Sequence, residues 1–170
     1  NEWAQNKLAN CYYYGDGVEQ DEAKAVEYFT KSAEAGNKNS MNRLGDCYNY
    51  GRGVEQDYQQ AINWYQQAAL AGHHIAKYNL GNCYYNGNGV EQDYQQAINW
   101  YQQAAEQNIE GAMNKLGECY QYGYGVEQDY QQAINWYQKA AEKGNGWAQD
   151  MLGSFYEYGK GVDKDVNLAL

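Results

Sequence analysis

The stretch Gly53–Gln66, GVEQDYQQAINWYQ, recurs without a change at residues 89–102 and 125–138. The copies are 36 residues apart, and the opening phrase returns as Gly17-Val18-Glu19-Gln20-Asp21 and, loosened, as Gly161-Val162-Asp163-Lys164-Asp165. A fixed period of this size is the signature of a repeat array. The 170 residues would ordinarily make one domain with a sizeable core. An array instead divides that core into small ones, each shared with a neighbour.

Working outward from the copied stretch gives the unit. Asp57 can cap the free amides of a helix, with Gln60 three residues on in a capping-box-like arrangement. Apolar doublets follow at Ala61/Ile62, Trp64/Tyr65 and Ala68/Ala69, a broad stripe at helical spacing. Gly36, Gly72 and Gly144 close this helix in three copies and Asn108 in the other, all residues that reach the left-handed conformation cheaply. Upstream, Ala76, Leu80, Cys83 and Tyr84 line one face of another helix, which ends at a glycine equivalent to Gly51. Val54 serves as an apolar peg in the loop between. The fold read from these signals is all-α, a helix-turn-helix repeat of 36 residues, hereafter helix A and helix B. The repeats run 3–38, 39–74, 75–110 and 111–146, with a truncated fifth at 147–170, as one array over 1–170.

Ala76-x-x-x-Leu80-Gly81-x-x-Tyr84-x-x-Gly87-x-Gly89-Val90-x-x-Asp93, followed by Ala97-x-x-Trp100-Tyr101-x-x-Ala104-Ala105, resembles the Sel1-like repeat, a relative of the tetratricopeptide repeats. The resemblance covers the whole chain and implies a right-handed α/α superhelix with the A helices on its inner wall. One departure stands out. Where that family often has Pro after the GxGV, this chain has Glu19, Glu55, Glu91, Glu127 and Asp163, and it contains no proline.

The copies do not drift evenly. Among the second to fourth repeats, nine of the fourteen positions from 39 to 52 differ, and none of the next fourteen does. Duplication alone predicts scattered differences. On a helical wheel the variable positions gather opposite the apolar face of helix A. The candidate ligand-binding residues are therefore Asn6, Asn10 and Tyr13 in the first repeat and Asn42, Asp46 and Asn49 in the second. The third contributes Tyr78, Asn82 and Tyr85, and the fourth Asn114, Glu118 and Gln121. Carboxamides donate and accept together, which suits the backbone of an extended peptide. Tyrosine supplies contact area at low entropic cost. Tyr14, Tyr50 and Tyr122 fall on or beside this face as exposed aromatics. Lys7, Arg43 and Lys115 share a position at its edge, broken by Asn79 and Met151.

The remaining features point away from chemistry. The net charge of −10 argues against nucleic acid, which needs clustered Lys and Arg, and favours a basic partner. No apolar run has the length of a membrane span. Cys11, Cys47, Cys83 and Cys119 hold one place in each repeat and read as a row of buried free thiols, since neighbouring helices lie too far apart for a disulfide. Unpaired cysteines fit a reducing compartment, and no cofactor or metal is expected. His73-His74 reads as solvated loop, the Gly-x-Gly as punctuation, and Trp64, Trp100 and Trp136 as packing anchors. Asn1 is not an initiator Met, and the last residues stop where earlier copies continue, so the sequence reads as a piece of something longer.

The functional expectation is a protein-binding scaffold that grips a peptide or protein partner on the helix A face, with bacterial host interaction or toxin immunity among the roles the resemblance implies. Two alternatives stand beside it. Cysteine-rich cousins are associated with β-lactam binding or hydrolysis, but they carry two cysteines per repeat where this chain has one. The array could also stack end to end through its unsealed termini.

Overall fold

The structure, a computed structural model, describes residues 1–164. The start of the fifth helix B, at 165–170, lies outside the described residues. Among those described, nine α-helices follow one another without a strand: α1 (Glu2–Tyr14), α2 (Glu22–Glu34), α3 (Lys38–Tyr50), α4 (Tyr58–Leu70), α5 (His74–Asn86), α6 (Tyr94–Ala105), α7 (Glu110–Tyr122), α8 (Tyr130–Ala141) and α9 (Gly146–Tyr158). They form two compact units, residues 1–92 and 93–170. In the first, α1 packs on α2 and α3 on α4, while α2 leans on α3 and α4 on α5; in the second, α7 packs on α8, with α6 against α7 and α8 against α9. The helix-turn-helix repeat read from the sequence is the fold.

Every residue of the copied loop except its glutamate has a structural task. Gly51 ends α3 in the left-handed conformation at φ 67°, its N–H donating to the Cys47 carbonyl. Gly53, also left-handed at φ 71°, lies so close to the start of α2 that an added Cβ would strike the Glu22 carbonyl. Only glycine meets both demands. Val54 packs against the core of the first unit. Gln56 turns back and donates through Nε2 to the Asn49 carbonyl at 2.7 Å, and Gln20, Gln92 and Gln128 do the same to Tyr13, Tyr85 and Gln121. Asp57 caps α4, accepting from the amides of Gln59 and Gln60 at 2.9 and 3.1 Å. These bonds hold a loop that has no proline to stiffen it. The capping box is not completed: the Asp57 amide donates to the Tyr48 carbonyl at 2.9 Å, which leaves Gln60 nothing to reach back to. At the far end of helix B, Gly36, Gly72, Gly144 and Asn108 all take positive φ, as their types predict.

The residue at the heart of the hairpin core is the tyrosine, not the tryptophan before it that the sequence suggested as the packing anchor. Tyr65, Tyr101 and Tyr137 are fully buried, while Trp64, Trp100 and Trp136 beside them are only half-buried. Tyr65 and Tyr137 each lie in a slot cut by a glycine in helix A. A Cβ at Gly45 would stand 2.4 Å from the Tyr65 ring, and one at Gly117 would stand 2.4 Å from the Tyr137 ring. The first repeat has Ala9 and Phe29 at the same two places, both in the core. Cys47, Cys83 and Cys119 are buried and free, and Cys11 is free and half-buried. Burial pushes the Cys47 and Cys119 thiols up to about 12 and that of Cys83 to about 11.

Candidate functional site

In the first unit, the helix A positions that vary between repeats are tied to one another across helices. Asn6 on α1 donates through Nδ2 to Ser40 Oγ on α3 at 2.7 Å, and Asn10 donates back to the Asn6 carbonyl at 2.8 Å. From α5, Asn79 Nδ2 reaches Asn42 Oδ1 at 3.1 Å and Asp46 Oδ1 at 3.3 Å. Asn42 is consequently buried, only 6% exposed. Asn6/Asn10 and Asn42/Asp46 are i, i+4 neighbours on their own helices, and each pair meets a polar side chain of the next helix A.

Asp46 is the centre of this network. Its Oδ1 accepts from the Tyr65 hydroxyl at 2.9 Å as well as from Asn79. Its Oδ2 has longer contacts: Asn42 Nδ2 at 3.5 Å and the Arg43 guanidinium at 3.6 Å. Arg43 also lies over the Tyr14 ring, 6.0 Å from its centroid. Burial holds the Asp46 carboxyl above its ordinary value, in spite of the Tyr65 hydrogen bond and the charges of Arg43 and Arg52. The same burial, with the Asp46 charge, pushes the Tyr65 phenol up.

Asn6, Asn10, Asn42 and Asp46 line one hollow of about 330 Å³, which Asn39 and Arg43 complete on α3. His73 and Ile75 close it from the α5 side. Four of the twelve residues expected from the sequence thus share a cavity. The others do not line it. Tyr13 is core, 6% exposed, with its ring against Phe29 and its hydroxyl accepting from Arg52 Nη1 at 2.6 Å, so it is not a surface aromatic. Tyr14, Tyr50 and Tyr122 are exposed as expected. Asn49 is half-buried, its carbonyl taken by Gln56. Tyr78, Asn82 and Tyr85 are half-buried and bonded.

In the second unit the corresponding side chains are paired more tightly. Lys115 bonds Glu118 at 2.7 Å, and Gln121 Oε1 accepts from the Tyr137 hydroxyl at 2.8 Å. Asn114 donates to Asn145 Oδ1 at 3.0 Å, while its own Oδ1 is buried with no partner among the described residues.

Two residues here were misassigned or missed by sequence reasoning. His73 is not solvated loop. It is the N-cap of α5, half-buried, with Nδ1 accepting from the Ala76 amide at 3.2 Å. Burial, reinforced by the nearby charges of Lys38, His74 and Arg43, lowers its pKa to about 4, so the ring is neutral at pH 7. The signal was available, because Asn37 and Asn145 stand at the same repeat position and cap their helices in the same way. Tyr65 read as packing alone, yet its hydroxyl emerges on the opposite helix's polar face. The alternation of Ala9/Phe29 with Gly45/Tyr65 could have shown the pairing.

No helix of the described residues is long and apolar enough to cross a membrane. No group of three or more His, Cys, Asp or Glu among them is arranged to hold a metal ion.

The family model of the Sel1 repeat matches residues 4–37, 38–73, 74–109, 111–145 and 148–170. Among solved structures, the chain is similar to a protective antigen of uropathogenic Escherichia coli that displays an SLR fold. The TM-score is 0.94 at 39% identity, over 99% of this chain and 36% of that one. It is equally similar to a Sel1 repeat protein from Oxalobacter formigenes, at TM-score 0.94 and 35% identity, over 99% of this chain and 69% of that one. The chain is also similar to Helicobacter pylori cysteine rich protein B, at TM-score 0.61 and 25% identity, over 81% of this chain and 99% of that one. No curated protein matches the chain. The chain thus spans about a third of the Escherichia coli antigen.

Proposed function

The chain belongs to the Sel1 repeat family, and from that premise we propose that it is a binding scaffold whose helix A face holds a peptide or protein partner. Proteins of this repeat generally serve as scaffolds for protein–protein interaction, and the finer reading concerns the face. The observation that carries it is the hollow among Asn6, Asn10, Asn42 and Asp46. Its side chains are fixed by bonds between successive A helices rather than left to wander in solvent, which lowers the entropy lost when a ligand is bound. Helix B makes the hairpin core and is copied; helix A carries the positions that vary and that face the ligand.

The experiment is a comparison of two surfaces in the intact chain. Asn10→Ala with Asn39→Ala alters the hollow, and Asn63→Ala with Gln66→Ala alters exposed positions on helix B. Partner captured from native lysate should be lost with the first pair and retained with the second, while circular dichroism stays unchanged for both. The reverse pattern overturns the assignment of the face.

A further inference from the structure

The under-served oxygen of Asp46 gives the hollow a chemical preference. A carboxylate has room for about four donors, and well-formed N–H···O⁻ bonds to it are about 2.7–2.9 Å long. Oδ1 is supplied by Tyr65 at 2.9 Å and Asn79 at 3.3 Å, but among the described residues Oδ2 has only Asn42 at 3.5 Å and Arg43 at 3.6 Å. The carboxylate is nevertheless mostly withdrawn from water, its side chain 19% exposed. A desolvated anion with one poorly satisfied oxygen at the wall of a cavity favours an incoming cation.

The fourth repeat shows why the internal cation does not do the job. There the same two positions hold Lys115 and Glu118, which close to 2.7 Å. In the second repeat the acid is an aspartate, one methylene shorter, and Tyr65 on α4 and Asn79 on α5 both hold its Oδ1. Arg43 is drawn onto the Tyr14 ring. The result is an open pair with a guanidinium at its edge and space beside it. The third repeat has Asn79 and Asn82 at these positions and no charge to offer.

We propose that the hollow of the first unit is a socket for a lysine or arginine side chain of the partner, its cationic head on Asp46 Oδ2 and its stem along Asn6, Asn10, Asn39 and Ile75. The socket rests on the reading of this face as the binding face, and it names what the face selects. Tyr65 acts as a positioning residue, since its hydroxyl aims the carboxylate without touching the ligand. Arg43 is a competitor, whose charge opposes entry. The raised pKa of Asp46 accords with this, because burial outweighs the compensation the chain itself provides. The net charge of −10 draws basic segments toward the surface before any contact forms.

The test uses single-residue probes on the full chain, so that it does not depend on the identity of the partner. The ¹⁵N-labelled protein is titrated at low salt and pH 7 with N-acetyl-L-arginine amide, with the neutral isostere N-acetyl-L-citrulline amide, and with N-acetyl-L-glutamate amide. Arginine amide should shift the amides around Asn39, Asn42 and Asp46, and the other two should not. Asp46→Asn, a change to the residue already present as Asn10 and Asn82, should weaken the response at least about tenfold. Arg43→Gln should strengthen it by about 1.5- to 5-fold, the range of a partly exposed ion pair. Tyr65→Phe should weaken it, with a change in the Asp46 carboxyl titration that a purely structural role would not produce. The proposal is overturned if glutamate amide shifts the hollow, if Arg43→Gln abolishes the response, or if arginine and citrulline amides behave alike. A socket that responds as expected, in a chain whose partner maps to helix B, would sink the docking face and leave the socket standing.

Discussion

The Tyr65 hydroxyl crosses its hairpin to donate to Asp46 Oδ1 at 2.9 Å, joining a residue of the copied segment to one of the variable face. Phe29 stands at the equivalent place in the first repeat, so the ring without its hydroxyl is compatible with the fold. Tyr65→Phe should fold and lose about 1–3 kcal/mol, the scale of a hydrogen bond to a charged group left unmade. Urea denaturation at pH 7 measures the loss, and a ¹³C titration of the Asp46 carboxyl should show its pKa move further up. A variant as stable as the parent, with the Asp46 titration unmoved, would mean the bond is absent in solution.

Gly45 and Tyr65 are shaped to each other. A methyl at Gly45 would stand 2.4 Å from two atoms of the ring, so Gly45→Ala should cost about 1–3 kcal/mol by overpacking. The combination Gly45→Ala with Tyr65→Phe should cost less than the sum of the two, because a ring released from Asp46 can shift as Phe29 does beside Ala9. A double-mutant cycle in urea reads this coupling, and strict additivity would contradict it.

The His73 cap makes stability depend on acid. Its pKa is about 4 in the folded chain against about 6.5 when unfolded. Between these values the unfolded state binds more protons, so stability is fully present above about pH 6.5 and falls as pH drops toward 4. Burial is the largest cause, and the charges of Lys38, His74 and Arg43 add to it. His73→Asn keeps a cap of the kind seen at Asn37 and Asn145 and should flatten this part of the curve. Thermal melts of both proteins across pH 4–7 should diverge only at the acid end.

Asp46 titrates in the opposite sense. Its carboxyl is raised in the folded chain, so the folded state holds the proton more tightly and ionisation above pH 4 lowers stability. Asp46→Asn should therefore be at least as stable as the parent at pH 7 by chemical denaturation. A clear loss would show that the carboxylate is better compensated than its contacts indicate.

Thiol reactivity should separate the four cysteines. Cys47, Cys83 and Cys119 are buried, with their thiols raised to about 11 or 12, whereas Cys11 is half-buried. Iodoacetamide at pH 8 with peptide mapping should label Cys11 first, and the other three only as the chain unfolds. Equal labelling of all four in the native protein would contradict the packing.

The hairpins were legible because their signals are local. Asp57 before the apolar stripe, Gly51 after Tyr50, and Asn108 standing where the other repeats have glycine each fix a backbone state by their own chemistry. The site was half legible for the same reason. Spacing put Asn6, Asn10, Asn42 and Asp46 on one face, but spacing cannot say which of them face solvent. Tyr13 shares their face and is buried, since the Arg52 loop of the next repeat folds over it. His73 lines the cavity and Tyr65 bonds the Asp46 carboxylate in its wall, and each is recognised by comparing repeats, not from its own segment.

The glycine contacts recur from one junction to the next. Gly89 meets Tyr58 at the start of α4, Gly125 meets Tyr94 at the start of α6, and each would clash if it bore a side chain. A genetic crossover anywhere inside the shared fourteen residues would therefore splice one helix A to another's helix B with every junction preserved. Such an exchange between adjacent copies lengthens or shortens the protein by one whole repeat and reshuffles its binding pockets, while the scaffold stays sound.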